Sequence, residues 1–565
     1  MFLIECGLVA FAVLAAIALP IEKWTSLESS LLSFELRFSR LAQKRQLAVL
    51  IVGASALLVR AALLPVIPIP QPAITDEFSY LLTADTFAHG RITNPTHPMW
   101  VRFESFYIIQ KPTYCSAFFP AAGLFLALGQ LIGGHPFWGV WLSNGLMCAA
   151  ICWMLQAWLP PRWALLGGLL AVIRLSTFSY WANGYDGGAV AALGGALVLG
   201  ALPRIRRNQR VLDALLMGLG FALLANSRPY EGLFLSLPVC IALLFWIFSE
   251  KAPPVKVTIQ RTVLPLSLVL VATAAAMAYY FWRTTGSPFD TPYMVNANRY
   301  FVVPNFPWSP LSVVPKYNHP LMERFYRWPL GAYDAARSHP LLIALAKAIG
   351  VAFFFLGPLL TLPILMLGIV LPRDLSYRDL GSRVRFLTTV CATTFAGMLL
   401  PIYFNPHYAG PMTCAIYALV LLAMRRVGRW HHRGRRVGAA IVRAVPLVCV
   451  LLLVLRVAAG PLHLPREEGL PASWWRLGPQ NLERARILSD LEHKSGHHLV
   501  IVRYSPTHYV NVEWVYNDAD IDGSKVVWAR DMGAANAELI HYFRDRNVWL
   551  LEPDYNPPRL TPYVQ

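Results

Sequence analysis

AITDEFSYLLTADTFAHGR, residues Ala73–Arg91, sets two adjacent acids, Asp76 and Glu77, at the head of a stretch spaced for a helix through Ala88. Apolar sequence stands on both sides of it. Residues 47–65 come before, and SAFFPAAGLFLALGQLIGGHP (Ser116–Pro136) follows closely. A carboxylate beside hydrocarbon is costly unless it is paired or functional. The fold therefore turns on what surrounds this stretch and on which side of a membrane it lies.

The surroundings are a membrane protein. Of 565 residues, 56% are hydrophobic and 14% charged, with a mean hydropathy of +0.46; soluble domains carry about 25% charged residues. Apolar runs predict spans at about 2–20, 47–65, 136–158, 163–180, 187–203, 211–226, 229–248, 262–282, 341–371, 385–403, 408–425 and 438–459, each near the length needed to cross hydrocarbon. Residues 2–20 lack a basic leader, so a retained first span is expected. The net charge of +18 follows from basic cytoplasmic loops, and no nucleic-acid module is visible. Seven of the eight cysteines lie in apolar segments and only Cys115 in a polar loop, so no disulfide framework or zinc spacing follows.

Charge orients the chain. Basic runs at Arg37–Arg45, Arg204–Arg210, Glu250–Arg261, Arg373–Arg385 and Arg425–Arg436 are assigned to the cytoplasm. Loop 66–135, the turns Ser179–Gly188, Asn226–Gly232 and Tyr403–Gly410, loop 283–340 and the C-terminal segment then fall outside. Parity requires that one apolar segment fail to cross. Residues 116–134, broken by Pro120 and closed by Gly133-Gly134, are expected as an outer or re-entrant helix. The stretch 341–371 is expected to bend near Pro358 and Pro363. From about Gly460 the composition turns soluble. HHLVIVRYS, KVVWARDM and NVWLLEPD read as strands, and AANAELIHYFRDR as an amphipathic helix. The expected fold class is an α-helical polytopic membrane protein of about 12 transmembrane spans with outer juxtamembrane or re-entrant helices. A small C-terminal extracytoplasmic α/β domain completes it. The domains expected are 1–459 and 460–565, with the protein integral to the cytoplasmic (inner) membrane.

Polar chemistry gathers on the outer face. Asp76 and Glu77 can open a helix and complement its dipole, and a carboxylate held there can also act as general base or metal ligand. Lys111, before Pro112, is placed to meet an anionic lipid headgroup. Asp186 lies in ANGYDGG, where Gly184, Gly187 and Gly188 allow close backbone approach; a capping role for the following span fits it equally. Arg228 and Glu231 are i,i+3 neighbours, and Arg228 can bind phosphate. His407 and Tyr408 follow in NPHYAGP. DADIDG (Asp518–Gly523) begins like a calcium loop, but Ala529 stands where the distal glutamate would be, and it reads as a surface turn.

TDEFSYLLTADTFAHGR, then Lys111-Pro112, a proline-broken apolar helix and an aspartate two spans later, resembles the GT-C superfamily of membrane glycosyltransferases. The nearest in pattern are the protein O-mannosyltransferases and the bacterial aminoarabinose transferases acting on lipid A. The resemblance covers residues 45–425. It implies a GT-C-like catalytic domain, with Asp76 as the loop aspartate serving as base or acceptor-site acid and Tyr80 one helical turn on. It further implies that Lys111 lies near the lipid-phosphate site and that Asp186 is the second aspartate at the outer end of a span. Gln110 departs from the pattern, being a glutamate in the aminoarabinose transferases, and the C-terminal α/β segment matches neither subfamily.

The expected activity is transfer of a sugar, with inversion, from a polyprenyl-phosphate-linked donor to a hydroxyl on an acceptor glycan, lipid or protein. Asp76, Glu77 and Asp186 are the candidate catalytic residues, and Tyr80, Lys111, Arg228, Glu231, His407 and Tyr408 the candidate substrate-binding residues. A divalent metal is left open. No nucleotide cofactor is expected, since the sequence has no P-loop and no GxGxxG opening a helix after a strand. The alternatives are a transporter or flippase of a lipid-linked substrate and a non-catalytic envelope assembly protein. A transporter would place paired ionisable groups on broken spans. Arg60, Arg174 and Arg456 are the candidates for that role, and no acid in a clear span is expected to pair with them.

Overall fold

The computed structural model describes residues 1–18, 25–250, 252–370, 381–459, 472–475 and 477–564. Most of the basic run 373–385 and the expected domain boundary at 459/460 lie outside the described residues. Among the described residues, seven helices are long and apolar enough to cross a membrane: Arg45–Ala62, Phe137–Trp158, Gly188–Asn208, Pro229–Ile247, Val255–Thr285, Pro406–Val427 and Val437–Ala458. A bent pair, Pro320–Ser338 and Pro340–Phe355 at 113°, brings the number to eight if it counts as one span. The chain is an integral membrane protein. Several of the expected spans are shorter helices. Pro161–Leu175 and Val211–Ala225 have 15 residues each, about 22 Å at 1.5 Å per residue. The expected span 163–180 runs past Leu175 into the turn that follows, whereas 211–226 matches its helix to within a residue.

The helices pack through small residues. A Cβ at Gly195 would meet the Pro411 carbonyl oxygen at 1.8 Å, so the helix Gly188–Asn208 and the turn before Thr413 touch backbone to backbone. Residues 120–133 form a helix of 14 residues, opened by Pro120 and ended by Gly134 at φ +72°. It buries Ala122, Leu126 and Ala127 against the helix Thr75–Ala88 and leaves Leu124, Leu128, Leu131 and Ile132 exposed. The stretch 341–371 breaks at Gly357, φ +57°, next to Pro358 as expected, while Pro363 sits inside the second helix without ending it.

Arg174 corrects the expectation that no acid pairs with it. Its guanidinium lies 3.3 Å from Glu5 and donates to the Leu356 carbonyl at 2.7 Å. Trp474 Nε1 and the Leu359 N–H also donate to Glu5. The acid comes from the first apolar helix, which folds back against the break at Gly357. Both charges are fully buried and tied to backbone, as a fixed structural node requires.

The C-terminal sheet confirms the strand–helix–strand reading. Strands β3 (His497–Val502), β4 (Val526–Arg530), β5 (Arg546–Glu552) and β6 (Arg559–Pro562) lie in the order β4-β3-β5-β6, parallel except for β6. A short hairpin in the first long loop supplies β1 (Ile108–Ile109) and β2 (Cys115–Ser116). Successive residues of β3 face opposite ways. Val500 and Val502 pack on Ile487 and Leu491 of the helix Leu482–His493, while Leu499 and Ile501 pack on Leu82, Met99, Phe103, Ile108 and Tyr114. The sheet thus shares one of its two cores with loop 66–115, directly beside the helix that carries Asp76.

Candidate active site

The helix Thr75–Ala88 starts where Glu77 reaches back to its own entry. Glu77 Oε2 accepts the N–H groups of Ala73 at 3.0 Å and Ile74 at 3.2 Å, and Oε1 accepts that of Tyr185 at 3.2 Å. This joins the head of the helix to the turn before Gly188. Burial pushes the Glu77 carboxyl up to about 7 despite those three donors. Glu77 therefore spends its oxygens on backbone.

Asp76 points elsewhere, since adjacent helical residues lie about 100° apart. It is half-buried, and one oxygen accepts from the Thr75 hydroxyl at 3.2 Å. Burial raises its pKa, and Arg228 acts in the opposite direction.

Asp186 reaches the same place from the neighbouring turn. Asn144 and Asn183 fold that turn by donating to the carbonyls of Trp181, Thr177 and Ser179, and the Tyr185 hydroxyl ties it to the Pro70 carbonyl. Gly187 at φ +70° then starts the next helix. A Cβ on Gly184 would come 2.9 Å from the Tyr180 carbonyl oxygen, 3.1 Å from Glu77 Oε1 and 3.3 Å from Asp186 Oδ2, so glycine lets the turn lie close against both acids. Asp186 is 7% exposed. Its pKa is driven well up by burial and by the charges of Glu77 and Asp76, with Arg228 opposing.

Arg228 caps the helix Pro229–Ile247 and lies over the Tyr408 ring at 4.2 Å. It faces Asp76, Glu231, Tyr80 and Tyr408 electrostatically. No ion pair within 4.0 Å joins it to an acid among the described residues; it balances the carboxylates across a gap. Tyr80, buried and stacked on Phe118 at 4.8 Å, feels Arg228, Asp76, Asp186 and Tyr408. His407 accepts or donates to the Tyr180 hydroxyl at 3.0 Å. Asp76, Tyr80, Asp186, Arg228, Glu231 and Tyr408 are thus one cluster drawn from separate loops, with His407 beside it.

Lys111 is not in that cluster. It is exposed at the turn of the β1–β2 hairpin, with Nζ 4.7 Å from the Trp100 ring centroid. Arg299 holds the same ring at 4.8 Å and lines an open depression of about 380 Å³ with Asp290, Met294, Val295 and Asn298. Two cations on one indole make a second positive site.

Of the aromatic wall beside Asp76, sequence reading named Tyr408 and missed Tyr107, Tyr293 and Tyr403. Tyr107, Tyr293 and Tyr408 all lie within the electrostatic reach of Asp76, and Tyr403 adjoins them. Tyr107 is held at φ +54°, a region a tyrosine rarely adopts. Ser79 Oγ and the Ala117 N–H both donate to its carbonyl, at 2.7 and 2.8 Å. Nothing local in FESFYIIQK marks this conformation; only the pairing of loop with helix imposes it.

A divalent metal would meet two unspent carboxylates here, Asp76 and Asp186. No group of three or more His, Cys, Asp or Glu side chains suited to a metal occurs among the described residues, and the third acid, Glu77, is committed to N–H groups. The residues do not form a three-ligand site, and no step below passes through a metal.

No protein-family model matches the chain, and no curated protein matches it. Solved structures do resemble it. The oligosaccharyltransferase of Archaeoglobus fulgidus, tethered to an acceptor peptide with the NVT sequon, is 12% identical over 90% of this chain and 68% of that one, with a TM-score of 0.46. The same organism's AglB with an inhibitory peptide and a dolichol-phosphate is 12% identical, covering 91% and 70%, at 0.43. ArnT from Cupriavidus metallidurans in the apo state is 12% identical, covering 89% and 92%, at 0.42. These neighbours are GT-C glycosyltransferases, the superfamily the sequence resembles. At such scores the likeness carries no argument about the site, whose reading rests on its own geometry.

Proposed function

We propose that this membrane protein is an inverting glycosyltransferase that moves a sugar from a polyprenyl-phosphate donor to a hydroxyl acceptor. The chemistry takes place at the extracytoplasmic face of the inner membrane. The carrying observation is the convergence of Asp76, Asp186 and Arg228, with Tyr80 and Tyr408, at the ends of apolar helices. A half-buried carboxylate with a single side-chain hydrogen bond is free to accept a proton. Its raised pKa makes it a stronger base than an exposed aspartate.

The acceptor hydroxyl gives its proton to Asp76 while its oxygen attacks the anomeric carbon. The bond from that carbon to the phosphate oxygen breaks, and its electron pair leaves with the lipid phosphate. Cations near the departing oxygens stabilise the charge that develops there. Lys111 and Arg299, sharing Trp100 beside the open depression, suit the phosphate. Arg228, already balancing two acids, suits the reacting centre. Asp186 orients the acceptor or sugar hydroxyls. Glu231 steadies Arg228, and His407 holds Tyr180. Tyr80 and the tyrosine wall supply flat faces for a sugar ring.

The test is purified protein in detergent with synthetic polyprenyl-phosphate sugars and a panel of glycan, lipid and peptide acceptors. The expected result is donor-dependent release of polyprenyl phosphate together with a glycosylated acceptor. Uptake of a lipid-linked sugar into vesicles without bond cleavage would favour the flippase reading instead.

A further inference from the structure

We propose that the segment Ser505–Glu513 is a clasp that positions Asp76, making the C-terminal α/β part a component of the catalytic site; this rests on the role given to Asp76 above. Three residues before that aspartate the chain is paired on both edges. On one edge Glu77 ties the N–H groups of Ala73 and Ile74. On the other, Ile74 bridges Val512 in antiparallel fashion, and the Glu513 N–H donates to the Ala73 carbonyl at 3.2 Å. The point at which the helix begins, and so the distance from Asp76 to Arg228 and Asp186, is set partly from over 400 residues away in sequence.

The clasp itself is built rigidly. The Glu513 carboxylate is wholly buried and has five donors: Tyr504 hydroxyl at 2.6 Å, Ser105 hydroxyl at 3.1 Å, Arg530 at 2.6 Å, and the N–H groups of Trp514 and Val515 at 2.9 and 2.8 Å. His508 spans from Asp554, 2.6 Å from its Nδ1, to the Val512 carbonyl, 2.8 Å from its Nε2. Arg324 of loop 283–340 donates to the Pro506 carbonyl. A buried ion pair stabilises little by itself and serves better to fix one arrangement. Here the arrangement it fixes is the edge that holds Ile74. A displacement of about 1 Å in a catalytic group can cost about 10²-fold in rate, which gives such an edge a reason to be rigid.

Two variants test the proposal: Glu513→Gln, which keeps shape and loses the charge facing Arg530, and the milder Tyr504→Phe. Each is measured as full-length protein in detergent for kcat and KM with a polyprenyl-phosphate sugar, for melting temperature, and for amide exchange by mass spectrometry. The proposal expects kcat to fall by about tenfold or more in the fully folded fraction, with KM within about twofold. Exchange should quicken over residues 73–80 while β3 and β4 keep their protection. Unchanged exchange over 73–80 in both variants would overturn it, and so would faster exchange there with wild-type kcat. Loss of activity only in proportion to unfolded protein would also overturn it. A wild-type protein that transfers no sugar would instead overturn the glycosyltransferase reading, leaving the exchange measurement to decide the clasp.

Discussion

Replacing Asp76 by Asn separates a base from a helix cap. Asn keeps the size of the side chain and an oxygen that can accept from the Thr75 hydroxyl, the one side-chain hydrogen bond Asp76 makes among the described residues. It loses the charge and the ability to take a proton. The fold should scarcely notice, because burial already disfavours that charge and Arg228 offsets the penalty only through space. Melting temperature should therefore stay level or rise slightly. Transfer should fall by about 10²–10⁴-fold, the usual worth of a general base, or about 2.7–5.4 kcal/mol of barrier at 1.36 kcal/mol per decade. The assay is release of polyprenyl phosphate from a synthetic donor by detergent-purified enzyme, run beside thermal unfolding. Because Asn cannot titrate, whatever activity is left should also lose the acid limb of its pH profile. Full activity in the variant, or a loss that tracks unfolding, would refute the assignment and leave Asp76 as a helix-start residue.

In the wild type, kcat/KM should fall on acidification at a pH above the ordinary aspartate range, since burial raises the Asp76 pKa; Arg228→Gln should move that limb to still higher pH, because it removes the cation that lowers it. Lys111→Ala and Arg299→Ala should each raise KM for the lipid donor by about tenfold with kcat nearly kept, and Lys111→Arg should be milder; unchanged KM in both would place the phosphate elsewhere. Glu77, raised from 4.5 to about 7, binds its proton more tightly folded than unfolded, so its contribution to stability is full below about pH 4.5 and is lost as pH rises through 7. Thermal unfolding from pH 4 to 8 should show that decline in the wild type and a weaker one in Glu77→Gln. Tyr107→Gly should relieve the φ +54° backbone but delete a ring packed on Phe118, Phe301, Phe325 and Tyr326, so melting temperature should fall, and transfer per folded molecule should drop by about tenfold or more if the ring serves the sugar.

The residues legible in sequence were those whose chemistry contradicts their surroundings. Asp76, Asp186 and Arg228 stand out because charges at the ends of apolar helices are rare, and three glycines announced the tight turn at 184–188. The strands of the C-terminal sheet were legible for a different reason: β-branched runs of the right length permit little else. Glu5 was invisible as the partner of Arg174 because pairing across 169 residues leaves no local trace. Arg299 and Trp100 were invisible as a unit for the same reason. Tyr107 and the Ile74–Val512 bridge belong to the same class, since each exists only once loop, hairpin and C-terminal segment have met.

The placement of the acids follows from two requirements that pull against each other. A base for a hydroxyl acceptor needs a pKa lifted by desolvation, yet a carboxylate fully sealed in apolar surroundings would hold its proton and be useless. Asp186, 7% exposed and crowded by two like charges, is near that limit. Asp76 is less enclosed, and Arg228 relieves it more directly than it relieves Asp186. Groups whose environments drive their protonation apart mark the division of acid and base roles. On that argument Asp76 takes the proton from the acceptor, while Asp186, kept protonated, donates a hydrogen bond. Asp186→Asn, which still donates, should then keep far more activity than Asp186→Ala. Equal loss in the two would mean that Asp186 works as an anion, and that the two carboxylates act together rather than in opposite states.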